Sequence, residues 1–182
     1  ILIDGKSLNA IAAAALRSKI ALVMQDVFLF SRSIKSNINL GSDGIAMEDV
    51  QKAADAIGAS SFIEKTESGY DTLLTERGAN LSAGQRQLLA FSRAFAANPE
   101  ILILDEATSN IDTDSEIYIN NSLEVLLKDR TSIIIAHRLS TIQKADKIIV
   151  LHKGCIREIG SHSELIAQQG LYHKLYQLQT TK

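Results

Sequence analysis

The sequence has no tryptophan, one proline (Pro99) and one cysteine (Cys155) in 182 residues. A single cysteine excludes an internal disulfide and fits a reducing compartment. Cys155 has no second cysteine or adjoining histidine, so it reads as a small strand residue after the Lys153-Gly154 turn rather than a reactive thiol. Charge of one sign is also scarce. With 19 basic and 21 acidic residues the net charge is −2, so the basic field that grips nucleic acid is missing and no nucleic-acid partner is expected. No apolar run approaches the ~20 residues needed to cross a bilayer. Nothing like a signal peptide opens the sequence.

What is present suits one globular α/β domain with a real core, at 46% hydrophobic and 22% charged residues. Ile1-Leu2-Ile3 reads as a strand ended by the turn pair Asp4-Gly5, and Ile20 to Met24 as a second strand. Apolar positions at Ala46, Val50, Ala53, Ala54 and Ile57 are spaced as in a helix that Gly58 stops. Residues 84–97 repeat that spacing through Leu88, Leu89, Phe91, Ala94 and Phe95, and Asn98-Pro99 ends the run. Strands are expected at 101–104, 132–136 and 147–151, with helices near 115–128 and 139–144 between them. Nearly continuous apolar strands alternating with helices predict a parallel sheet covered on both faces. Ser161, Ser163 and Glu164 suggest a helix start, and a last amphipathic helix follows Gly170 with Leu171, Leu175 and Leu178 on one side. The stretch 27–95 is richer in helix than the rest and suggests an insertion between two parts of one sheet.

Three of these strands end in a polar residue, and such tips face the ligand crevice of an open parallel sheet. They are Gln25, the pair Asp105-Glu106, and His137. A hard carboxylate such as Asp105 suits Mg²⁺, with Gln25 able to reach the metal or a water through its side-chain oxygen. Glu106 is placed to polarise an attacking water, and His137 to bond a terminal phosphate as charge develops. Each residue alone has a plainer reading: a loop start, a helix cap, a core histidine. Ser82-Ala83-Gly84-Gln85 has the Ser and Gln of a capping box. The glycine inside it lowers helix stability, but it lets a backbone N–H approach a phosphate at the positive end of a helix.

Leu81 to Gln85, followed by Ile101 to Ser109, resembles the signature and Walker B motifs of ATP-binding-cassette (ABC) ATPases. Gln85-Arg86-Gln87 and Ser109-Asn110-Ile111-Asp112 look most like the exporter-type nucleotide-binding domains, and the resemblance covers almost the whole chain. It implies an α/β, P-loop-NTPase-like parallel sheet flanked by helices, with an inserted helical subdomain. Residues 1–182 are then a single partial domain, 27–95 its helical signature subdomain, and 1–26 with 96–182 the remainder of a RecA-like core. By the same resemblance Gln25 is the Q-loop glutamine, Asp105 the Walker B aspartate, Glu106 the catalytic glutamate, His137 the switch histidine and Asp112 the D-loop aspartate. Ser82, Ala83, Gly84 and Gln85 would contact the γ-phosphate of ATP held by a second nucleotide-binding domain, in a homo- or heterodimer. Alanine stands at 83 where the family usually has glycine, and Asn110-Ile111 where it commonly has alanine and leucine. Glu76, in Thr75-Glu76-Arg77-Gly78, would face the transmembrane domains, and Val27 to Ser31 would form part of a groove for them.

The G-x-x-x-x-G-K-[ST] phosphate loop that such an ATPase needs does not occur in these residues. Gly5-Lys6-Ser7 is the only lookalike, and it sits where a strand and turn are expected, with Lys6 solvated. The sequence is therefore expected to be the C-terminal portion of a domain, with apolar sheet surface left open. Such a chain should associate, swap strands or be marginally stable, and should not bind ATP alone in the usual way. The expected parent is a Mg²⁺-dependent ATPase, with ATP as its nucleotide, that drives an exporter from the cytoplasmic face of the cell membrane. The alternatives are a soluble ABC-family ATPase and an inactive folded remnant. Against the first, the sequence shows no coiled-coil heptads and one signature segment.

Overall fold

The structure, a computed structural model, describes residues 1–41, 44–105, 113–136 and 139–180. The chain divides into two compact units, Ile1–Ile135 and Ala136–Lys182. The first contains β1 (Leu2–Ile3), β2 (Lys6–Ser7), α1 (Ala13–Arg17), β3 (Ile20–Val23), α2 (Ile34–Ile38), α3 (Met47–Ile57), α4 (Ser60–Ile63), α5 (Ala83–Ala96), β4 (Ile101–Asp105), α6 (Thr113–Leu127) and β5 (Thr131–Ile135). The second contains α7 (Leu139–Ile142), β6 (Ile148–His152), β7 (Cys155–Gly160), α8 (His162–Ala167) and α9 (Leu171–Thr180).

The chain opens with a hairpin. Ile3 pairs with Lys6, and the two residues between them, Asp4 and Gly5, have φ of 47° and 76°. Two successive left-handed residues are what a tight type I′ turn demands. Gly5-Lys6-Ser7 is thus turn and strand, with Lys6 exposed, as its sequence context predicts.

β3, β4 and β5 form a parallel sheet in that order, with Val23 opposite Leu104 and Asp105 opposite Ile135. Alternation along the strands sends Ala21, Val23, Leu102 and Leu104 to one face, where they meet Phe91 of α5 and Ile119, Leu123 and Leu126 of α6. The other face carries Leu22, Met24, Ile133 and Ile135, each more than half exposed. The apolar runs predict cover on both faces; among the described residues helices cover one.

Between β3 and β4 lies a helical region with a second core. Leu29, Ile34, Ile38, Val50, Ala54, Ile63, Leu74 and Leu89 are its centre. α3 ends at Gly58, which takes φ 81° as a left-handed cap, as the sequence indicates. α5 stops at Ala96, before Asn98-Pro99.

In the second unit β6 pairs antiparallel with β7, not within a parallel sheet. The connection explains this. His152 pairs with Cys155 across Lys153 and Gly154, whose φ values are 50° and 73°. A two-residue turn joins antiparallel strands only, since a parallel partner needs a crossover of a dozen or more residues. Cys155 is an exposed free thiol opening β7. The core of this unit is Ile148, Val150, Leu165 and Tyr172. Of the apolar side expected on α9, Leu171 packs against this core, whereas Leu175 and Leu178 are 47% and 70% exposed. Tyr172 is buried, its hydroxyl 2.7 Å from His162 Nδ1.

α8 begins with the expected capping box: Ser161 Oγ accepts from the Glu164 N–H, and the Ser161 N–H donates to Glu164 Oε2 at 2.8 Å. That N–H, then the Ser161 hydroxyl, hold the Glu164 carboxyl below its ordinary pKa. A carboxylate with a lowered folded pKa contributes stability that is complete above the ordinary carboxylate range. That contribution is lost as pH falls through the lowered value. Glu164→Gln is therefore expected to flatten the acid limb of the α8 amide shifts in an NMR titration. An unchanged acid limb would assign the titration to another group.

Candidate functional site

The parallel register sets the site. With Val23 opposite Leu104, Gln25 and Asp105 emerge at the same carboxyl edge of the sheet. Asp105 is the last residue of β4 and is half-buried, while Gln25 is exposed in the bend after β3. β5 ends at Ile135, opposite Asp105, at that same edge. Glu106, Asp112 and His137 lie outside the described residues. Asp105 and Gln25 offer hard oxygen donors of the kind Mg²⁺ takes, and so fit that ion. Among the described residues no group of three or more His, Cys, Asp or Glu side chains converges as a metal cluster.

The second part of the site is the start of α5. Ser82 is its N-cap, with Oγ accepting from the Gln85 N–H at 3.2 Å and its own N–H donating to Gln85 Oε1 at 2.9 Å. The capping box thus satisfies the N–H groups of residues 82 and 85. The intervening N–H groups, of Ala83 and Gly84, belong to the helix donors that have no intrahelical acceptor. The first turn carries no acidic side chain, so the positive end of this 14-residue helix is not neutralised from within. Ser82 is exposed, Ala83 and Gln85 are half-buried, and Gly84 is buried. A cavity of about 400 Å³ opens beside this turn, with Ser82, Gly84 and Gln85 on one side and Phe62, Tyr118 and Val125 supplying apolar surface.

Glu76 is exposed in a short turn, Glu76–Gly78. Gly78 is required there: φ is 67°, and a Cβ would come within 2.7 Å of the Leu29 side chain. Phe28 and Phe30 are 52% and 42% exposed, with rings packed edge to face at 5.0 Å.

Three polar residues escape the sequence patterns. Gln87 is buried in α5, and its Nε2 has no hydrogen-bond partner among the described residues. Asn37 is 1% exposed. Arg93 is tied to it, and burial pulls the guanidinium below its ordinary pKa. The only signal for Arg93 was a charged residue inside the mostly apolar stretch from Leu88 to Phe95.

A parallel sheet with an acid and an amide on its carboxyl edge, and a helix start with N–H donors that lack an intrahelical acceptor, are the features of nucleotide-binding α/β proteins. Comparison with known proteins makes the class specific. The profile of the ABC transporter family matches residues 1–109. An uncharacterized ABC transporter ATP-binding protein of Bacillus subtilis, YfiC, is 50% identical over 182 residues, which are all of this chain and 30% of that protein. A putative multidrug export ATP-binding/permease protein of Staphylococcus aureus is 51% identical over 179 residues, 98% of this chain and 31% of its own length. The solved structure of a bacterial Atm1-family ABC exporter with ATP bound matches with a TM-score of 0.89 at 40% identity, over 98% of this chain and 31% of that one. The chain belongs to the ABC transporter family, in its ATP-binding part. It spans about 30% of the length of the curated relatives it matches.

Proposed function

We propose that this chain contributes the signature helix and the metal-side carboxylates of the ATP-binding domain of an exporter. The observation that carries the reading is the start of α5, where a capping box at Ser82 and Gln85 leaves the Ala83 and Gly84 N–H groups without an intrahelical acceptor and so suited to an anion. On this reading Ser82, Ala83, Gly84 and Gln85 grip the terminal phosphate of ATP held by a second nucleotide-binding domain. Asp105 and Gln25 hold Mg²⁺, whose bound charge would offset that on the β- and γ-oxygens. Glu106 accepts a proton from the attacking water, His137 steadies the transferring phosphoryl group, and Asp112 takes part in binding the nucleotide. The reaction is ATP + H₂O → ADP + phosphate. Exposed Phe28, Phe30 and Glu76 face the transmembrane domains at the cytoplasmic side of the membrane, residues 27–95 acting as the helical subdomain. No part for nucleic acid enters this scheme.

Two measurements test it together. The full-length protein is expected to hydrolyse ATP only with Mg²⁺, whereas the 182-residue chain, which contains no G-x-x-x-x-G-K-[ST] loop, shows no Mg-ATP binding by calorimetry. Absence of turnover in the full-length protein would make the chain a folded remnant. Micromolar binding by the 182 residues would show that another segment cradles phosphate.

A further inference from the structure

The guanidinium of Arg93 makes three hydrogen bonds that the proposed chemistry does not use. Its Nε donates to the Asn37 carbonyl at 2.8 Å, Nη1 to the Phe28 carbonyl at 3.0 Å and Nη2 to Asn37 Oδ1 at 3.2 Å. None of these acceptors is a carboxylate, and all lie on one segment far back in the sequence. Asn37 completes the tie. Its Oδ1 also accepts the Phe30 N–H at 2.8 Å, and its Nδ2 donates to the carbonyls of Phe30 at 2.9 Å and Ser33 at 3.1 Å. A planar fork with fixed donors is suited to holding several acceptors at once, which the ammonium of lysine is not.

The tie joins two features of different kinds. On one side is the loop after Gln25, which keeps Phe28 and Phe30 exposed although its backbone is held firmly. On the other is the last turn of α5, a helix whose first turn carries Ser82 and Gln85. Fourteen residues at about 1.5 Å each make α5 a rod of about 21 Å between those ends. Burial of Leu29 alone would keep the loop near the helix, but a single apolar side chain does not set its orientation.

We propose that Arg93 is a positioning residue that fastens the aromatic loop at Phe28–Arg32 to α5, so that a load on the loop is delivered to the phosphate-facing start of the helix. The delivery step rests on the exporter reading above; the fastening does not. Exchange of backbone amides in the 182-residue chain tests the fastening. Arg93→Lys is expected to speed exchange at Phe30 and at Leu74, whose N–H bonds the Arg32 carbonyl, by at least about tenfold. Leu89 and Phe91 should change less than about twofold. Equal acceleration at all four amides would make Arg93 a mere packing residue and overturn the proposal, as would no change at Phe30. In the full-length protein, the same substitution should lower kcat for ATP about tenfold with KM within about twofold. Combined with Phe28→Ala it should give no more than the larger single effect. Multiplying effects, or a change confined to KM, would overturn the delivery step. A wild-type protein without turnover would refute the exporter reading, and the exchange result would still decide the fastening.

Discussion

Glu106→Gln is expected to slow ATP turnover by the full-length protein by about 10²–10⁴-fold, the usual contribution of a positioned general base, while ATP still binds. The amide keeps the size and one acceptor oxygen of the carboxylate but cannot take a proton. Asp105, the residue before it, closes β4 at the sheet edge beside β3 and β5. A residue directly after that tip is in sequence the nearest carboxylate to a metal held by Asp105. Steady-state hydrolysis and equilibrium nucleotide binding, measured on the same preparation, read the two effects apart. A loss below about threefold would reassign the base, with His137 the next group to replace.

Phe91→Ala has the largest expected effect on the fold. Phe91 is fully buried on α5, where it meets Val23, Leu102 and Leu104 from the sheet and Ile119 from α6. Truncating a buried phenylalanine removes its transfer free energy and leaves a cavity, at a cost of about 3–5 kcal/mol. For a chain of this size each kcal/mol moves the melting temperature by about 2–4 °C, so a fall of roughly 6–20 °C should appear by circular dichroism. Phe28→Ala, at a residue that is 52% exposed, should shift it by less than about 2 °C. Similar shifts for the two would contradict the packing described here.

The contrast between those two phenylalanines also shows what was legible in the sequence. The spacing of Leu88, Leu89, Phe91, Ala94 and Phe95 predicts the helix α5, and the continuous apolar run from Ile101 to Leu104 a buried strand. The Ser82 and Ser161 caps were legible as well, because a capping box depends on local spacing alone. Pairing partners were not. β6 is as apolar as β4, and only the left-handed turn at Lys153-Gly154 commits it to an antiparallel neighbour. The Arg93–Asn37 tie was hidden for a related reason. It joins residues 56 positions apart, and no periodicity within either segment reports on the other. On α9 the buried residue is Tyr172, whose hydroxyl lies 2.7 Å from His162 Nδ1, a contact that an apolar stripe does not encode. At the proposed site the strand tips at Gln25 and Asp105 do share an edge, as a parallel arrangement requires.

The open face of the β3–β4–β5 sheet bears on how the stability of this chain should be understood. Leu22, Met24, Ile133 and Ile135 all face water there. Covering a fully exposed side chain of this type is worth about 1.5–3 kcal/mol, and these four are little more than half exposed, so together they amount to roughly 3–7 kcal/mol. That is comparable with the whole net stability of an ordinary domain, about 5–15 kcal/mol. A surface laid over that face would therefore add stabilisation of the size of the net margin by which a domain folds. A melting curve of these 182 residues measures the core beneath the sheet without that contribution. Substitutions at Leu22 and Ile133 would register fully only with such a surface bound.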